Sequence, residues 1–103
     1  MITQELKTRW VEALRSGKYK QGKNYLKNDD GTMCCMGVLC DIIDPAGWSI
    51  GYRVFWHEEY ECYPPHSIID IRNSNHLGIM NDEDDMNFDQ IADWIEKNFT
   101  VSI

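Results

Sequence analysis

A chain of 103 residues, 43% hydrophobic and 26% charged, has the length of one small domain, since two cores of half that size would each be hard to fold alone. The longest apolar stretch, Met33 to Ile43, is too short for a bilayer and carries Asp41, so no membrane contact is expected. The net charge of −7 argues against a nucleic-acid coat, because phosphate binding rests on clustered cations.

That charge is unevenly spread. Residues 1–27 hold seven Lys/Arg against Glu5 and Glu12, a net of +5, whereas residues 28–103 hold three against fifteen acids, a net of −12. The basic end suits one small anion; the acidic end suits a basic protein surface. Met1-Ile2-Thr3-Gln4-Glu5 has neither the basic start nor the apolar core of a signal peptide, which makes the cytoplasm the expected location. There, Cys34, Cys35, Cys40 and Cys62 are expected as thiols.

In chain order, the first element is a helix from Gln4 to Ser16. Leu6, Trp10, Ala13 and Leu14 form its apolar stripe, Thr3 its N-cap, and Arg15 and Gly17 its C-terminal signal. A basic loop with two glycines follows. Asn28-Asp29-Asp30-Gly31 then marks the turn of a short hairpin between Asn24–Lys27 and Thr32–Cys34. Cys35 to Ile43 is apolar on nearly every side, as a buried helix or a buried strand would be; Gly37, costly inside a strand, and the nine-residue length favour a central helix, stopped at Asp44-Pro45.

Residues 46–63 contain one or two strands, because Tyr52, Val54 and Trp56 alternate with Arg53, Phe55 and His57. Pro65 to Ile71 is expected as a short helix with proline in its first turn, and Asn73-Ser74-Asn75 as a loop. The C-terminal helix is the best-signed element. Asn87 is its N-cap, Gln90 sits at N3, Met86 and Ile91 occupy the staple positions, and Phe88, Ile91, Ala92, Ile95 and Phe99 share one face.

Several catalytic patterns fail on their own chemistry. Gly17-Lys-Tyr-Lys-Gln-Gly22-Lys23-Asn24 imitates a phosphate-binding loop, but Asn24 replaces the magnesium-binding Ser or Thr, and a helix precedes the loop where a strand is required. The four thiols with His57, His66 and His76 raise zinc, yet only Cys62 and His66 have ligand-like spacing, and buried cysteine otherwise packs as a small hydrophobe. Cys62 is the one thiol with histidines near enough in sequence for nucleophilic chemistry, without an accompanying oxyanion loop. Asp82-Glu83-Asp84-Asp85 does not keep calcium-loop register, since glycine and the terminal glutamate are absent from their positions. Asp41, inside the apolar element, sits either at an exposed seam or against a partner.

Three blocks of this chain resemble one family of small proteins scattered through phage and bacterial genomes. They are Trp10-Val-Glu-Ala-Leu-Arg-Ser-Gly-Lys-Tyr-Lys-Gln-Gly22, then Cys34-Cys-Met-Gly-Val-Leu-Cys-Asp41, then Met80-Asn-Asp82 with Phe88-Asp-Gln-Ile-Ala-Asp-Trp-Ile-Glu96. Residues 46–65 and the acid run lie outside the resemblance. It implies a phage or prophage origin and no site residue, and small phage accessory proteins commonly act by binding and inhibiting host machinery.

The fold expected is a single α+β domain, with N- and C-terminal helices and a central apolar helix packed on a small, mostly antiparallel sheet. The function expected is non-enzymatic binding of a host protein or defence component with a basic surface. Its candidate contacts are Trp48, Trp56, Glu58, Glu59, Asp82, Glu83, Asp84 and Asp85. The alternative is capture of a small phosphorylated ligand by the Gly17–Lys27 loop, through Lys18, Tyr19, Lys20, Lys23 and Tyr25. A zinc or cysteine enzyme ranks third, and no cofactor is expected.

Overall fold

The computed structural model describes residues 2–51 and 53–99, so Tyr52 of the alternating segment lies outside the described residues. Helix α1 spans Gln4–Arg15, with the Thr3 hydroxyl accepting from the Leu6 N–H at 3.2 Å. Gly17 follows at φ +78°, a left-handed conformation that glycine adopts without steric cost, and the helix ends there.

Helix α2 spans Cys35–Ile43, and Cys35 through Cys40 are all buried. The indole N–H of Trp10 donates to the Cys35 carbonyl at 2.9 Å, tying α1 to the first turn of α2. Gly37 has a packing reason to be glycine: a Cβ there would lie 1.8 Å from the Leu26 carbonyl oxygen. Leu26, fully buried, crosses α2 at that point.

The Asp-Gly turn forms as its residues imply. The Asn28 N–H donates to the Thr32 carbonyl at 2.8 Å, and Lys27 pairs antiparallel with Met33. The pairing stays at one bridge because Met33 is shared. On its other side its carbonyl accepts from Gly22 and its N–H donates to Lys20. The basic loop therefore lies alongside the hairpin rather than projecting from it.

After a short 3₁₀ turn at Pro45–Gly47, strands β1 (Trp48–Ile50) and β2 (Val54–Trp56) pair antiparallel, with Trp48 opposite Trp56. Val54 and Trp56 are buried and Phe55 half-buried, the alternation a one-sided strand requires. The chain then reverses through His57 and Glu58 at φ +51° and +61°, a pair of left-handed residues that matches the twist of the strands.

Helix α3, Ile71–Asp82, corrects two expectations. Pro65 to Ile69 makes a single turn, in which the Ile68 and Ile69 N–H groups donate to the Pro65 carbonyl, and the helix begins only at Ile71. Asn73-Ser74-Asn75 is helical, not a loop. The poor intrinsic propensity of Asn and Ser is overridden by tertiary burial of Leu77 and Met80 on the same helix. Helix α4, Phe88–Asn98, has the full capping box, with Asn87 and Gln90 bonding each other's backbone N–H at 2.9 Å.

α1 packs along α4. Arg15 forms ion pairs with Asp93 and Glu96, and the Lys7 ammonium donates to the Phe99 carbonyl at 2.7 Å, a cation placed at the negative end of the α4 dipole. The Trp10 and Phe99 rings meet edge to face at 5.6 Å. The molecule is thus a small α+β fold: helices pack around α2 and the antiparallel β1–β2 hairpin closes a side. No helix among the described residues is long and apolar enough to cross a membrane.

Candidate functional site

The centre of the polar architecture is Asn81, 0% exposed. Its Oδ1 accepts from the Cys35 N–H at 3.2 Å and from Gln21 Nε2 at 2.9 Å. Its Nδ2 donates to the Gly22 carbonyl and to Asp82 Oδ1, both at 2.8 Å. Both lone pairs and both amide hydrogens are therefore used, which is the condition for burying an amide without loss. α2 has no side-chain cap of its own, and Asn81 supplies that bond from α3.

The same junction brings the two charged ends of the sequence together. Lys23 forms an ion pair with Asp85, and the Asn24 N–H donates to Asp82 Oδ1 at 3.0 Å. The hydrogen bond and the ammonium charge hold the Asp85 carboxyl below the usual carboxylate range, and the same bond raises Lys23. Gln21 Nε2 also reaches the Met86 carbonyl at 2.8 Å. Half-buried Asp82 and exposed Asp85 thus fasten the α3–α4 turn to the basic loop, and Glu83 and Asp84 between them are exposed. Asp89, in the first turn of α4, is exposed as well.

The remaining candidates are dispersed. Lys18 and Lys20 are exposed, and Lys18 shares a shallow depression with Arg9, Glu12 and Tyr19. The Tyr19 hydroxyl donates to Asp41 Oδ2 at 2.7 Å, and the Trp48 indole donates to Asp41 Oδ1 at 3.0 Å. Asp41 accordingly has two neutral donors and serves as a structural clasp between the basic loop, α2 and β1. Burial and that bond push the Tyr19 phenol up to about 12. Trp56 is only 3% exposed, and its indole donates to the Asp44 carbonyl at 3.1 Å; as a core residue it offers no side chain to a partner. Glu58 and Glu59 are exposed on the turn that follows it.

The thiols are set against thiolate chemistry. Burial pushes Cys34 up to about 12, and raises Cys35 and Cys40 strongly. Desolvation and the nearby Glu61 raise half-buried Cys62 too.

A cleft of about 400 Å³ opens between the hairpin and β2, lined by Tyr25, Lys27, Asn28, Asp29, Arg53, Val54 and Glu61. Of these, the sequence offered Tyr25 as a candidate contact and Lys27 as the end of the Gly17–Lys27 loop, and none of the others as a binding residue. Lys27 and Arg53 stand far apart in the chain, and no local pattern joins them.

The model of a domain of unknown function, DUF8296, matches residues 2–65. The chain belongs to that family. The DUF8296 segment takes in α1, the basic loop, α2 and the β-hairpin, together with every residue of the cleft. It stops before α3, so Asn81 and the acid run lie beyond the matched residues. Neither a curated protein nor a solved structure matches the chain.

Proposed function

We propose that this DUF8296 chain is a non-enzymatic accessory protein of phage type that binds, and thereby inhibits, a host protein or defence component presenting a basic surface. The observation that carries this reading is the α3–α4 turn. Asp82 and Asp85 tie it to the basic loop and the Asn87–Gln90 box holds it from the following helix, so that Glu83, Asp84 and Asp89 are displayed on a preformed edge. A surface that is already ordered loses little entropy on docking, and on a chain of net charge −7 it attracts cationic surfaces from a distance. The buried, protonated thiols of α2, the fully bonded Asn81 and the Asp41 carboxylate clasped by Tyr19 and Trp48 fit a scaffold that binds more than one that reacts.

The test uses wild-type protein and the pair Glu83→Gln/Asp84→Asn as parallel baits in a bacterial lysate, followed by association kinetics with whatever is captured. The expected partner is basic, is lost or weakened with the neutralised bait, and associates more slowly as salt rises, with dissociation less changed. A partner held equally by both baits in low and physiological salt overturns the proposal.

A further inference from the structure

Two cations separated in the chain by the Asp-Gly turn, α2 and β1 arrive at one concavity, each against an aromatic ring. The Arg53 guanidinium lies 5.7 Å from the Tyr25 ring centre, and the Lys27 ammonium lies 5.4 Å from that of Trp48. Arg53 is also positioned by Glu61, whose two oxygens both lie 3.3 Å from its Nη1. Those bonds engage one corner of a planar group with five donors. Among the described residues, no bond is made by the Nη2 and Nε edge. That edge is the fork that recognises carboxylate and phosphate in bidentate fashion, and its side chain is half exposed.

Lys23, on the same loop as Tyr25, is differently occupied: it is bound to Asp85. Lys27 and Arg53 line the cleft together with the Tyr25 ring, Val54 and Asn28. Asn28 is itself fixed, its amide donating to Thr32 Oγ1 at 3.1 Å. Asp29 and Glu61 add acceptors for a ligand's amine or hydroxyl hydrogens. About 400 Å³ is within the size range of small-molecule sites.

We propose that this cleft binds a small organic anion of mononucleotide size or less, its phosphate or carboxylate held by Arg53 and Lys27 and its body packed on Tyr25 and Val54. The site stands apart from the acidic edge and does not depend on it. It also differs from the Lys18, Lys20 and Lys23 grouping, since only Tyr25 is common to both.

Calorimetric titration of the full chain with adenosine monophosphate tests it, with inorganic phosphate and succinate as parallel arms that separate phosphate from carboxylate recognition. At least one probe is expected to bind one to one. Arg53→Gln should weaken it about tenfold or more, the loss of a charge-assisted contact. Arg53→Lys should not restore it, because an ammonium lacks the fork. Lys27→Gln should weaken the same probe independently, and Tyr25→Ala should weaken adenosine monophosphate more than inorganic phosphate. Glu83→Gln/Asp84→Asn should leave all three arms unchanged. No binding of any probe to the folded wild-type chain overturns the proposal. So does binding that survives both Arg53→Gln and Lys27→Gln, or binding abolished by Lys18→Ala instead.

Discussion

The side-chain oxygen of Asn81 receives the backbone N–H of Cys35 at 3.2 Å, so the last turn of α3 caps the first turn of α2. Three separate stretches of the chain meet at this amide: Gln21-Gly22, Cys34-Cys35 and Asn81-Asp82. Their proximity has a structural explanation. They close one another's hydrogen bonds around a side chain that is itself fully buried.

Replacing Asn81 should therefore be among the most damaging single changes to a polar residue. Asn81→Leu leaves the Cys35 N–H and the Gly22 carbonyl without their partner and takes one of the two bonds of the Gln21 amide, at about 1–3 kcal/mol for each buried orphan. A total loss of about 3 kcal/mol or more is expected in urea unfolding. Asn81→Asp keeps the acceptors but adds a buried charge beside Asp82, and should fare no better. A loss under about 1 kcal/mol would show the amide to be solvated after all.

The Tyr19–Asp41 bond predicts an alkaline transition. A phenol raised from its ordinary value near 10 to about 12 favours folding by holding its proton more tightly in the native state. This contribution is complete below about pH 10 and is lost as pH rises through about 12. Absorbance titration should show one late phenol in the native protein, and Tyr19→Phe should remove that phase. Persistence of the late phase in Tyr19→Phe would assign it elsewhere.

Thiol accessibility should divide the four cysteines. Under native conditions an aromatic disulfide reagent should modify Cys62 slowly and leave Cys34, Cys35 and Cys40 untouched, because those three are buried and protonated. All four should react after denaturation without reductant. Rapid native modification in a Cys62→Ser variant would contradict the burial of α2.

The turn after β2 is an opportunity for stabilisation. Glu58 holds φ +61° with a side chain that is exposed, a conformation that costs a residue with a Cβ about 1 kcal/mol relative to glycine. Glu58→Gly should be neutral or stabilising by about 0.5–1 kcal/mol in thermal unfolding, despite the flexibility glycine adds to the unfolded chain. Clear destabilisation would mean that the glutamate side chain contributes to the hairpin.

Local chemistry was enough to determine α1, α4 and the Asp-Gly turn. Their signals, caps, a period of 3.6 and a turn dipeptide, operate over a dozen residues or fewer and depend little on what packs against them. For α2, apolar on nearly every side and without a side-chain cap, the sequence favoured a helix over a strand only through Gly37 and length. The uneven charge was likewise legible from composition. What charge patterning does not specify is which groups meet. Lys23 and Asp85 looked like ends of two separate surfaces, and only the fold, through Asn81 and Asn24, set them in contact. The start of α3 and the helical state of Asn73-Ser74-Asn75 were decided by burial of Leu77 and Met80, which local propensity does not see. Trp56 turned inward because its strand packs on one side, a choice that alternation allows but does not orient. The cleft is the extreme case. Tyr25, Lys27 and Arg53 come together through the Leu26 N–H bonded to the Glu61 carbonyl at 2.8 Å, a long-range contact that links the hairpin to the segment after β2 and has no trace in the local sequence.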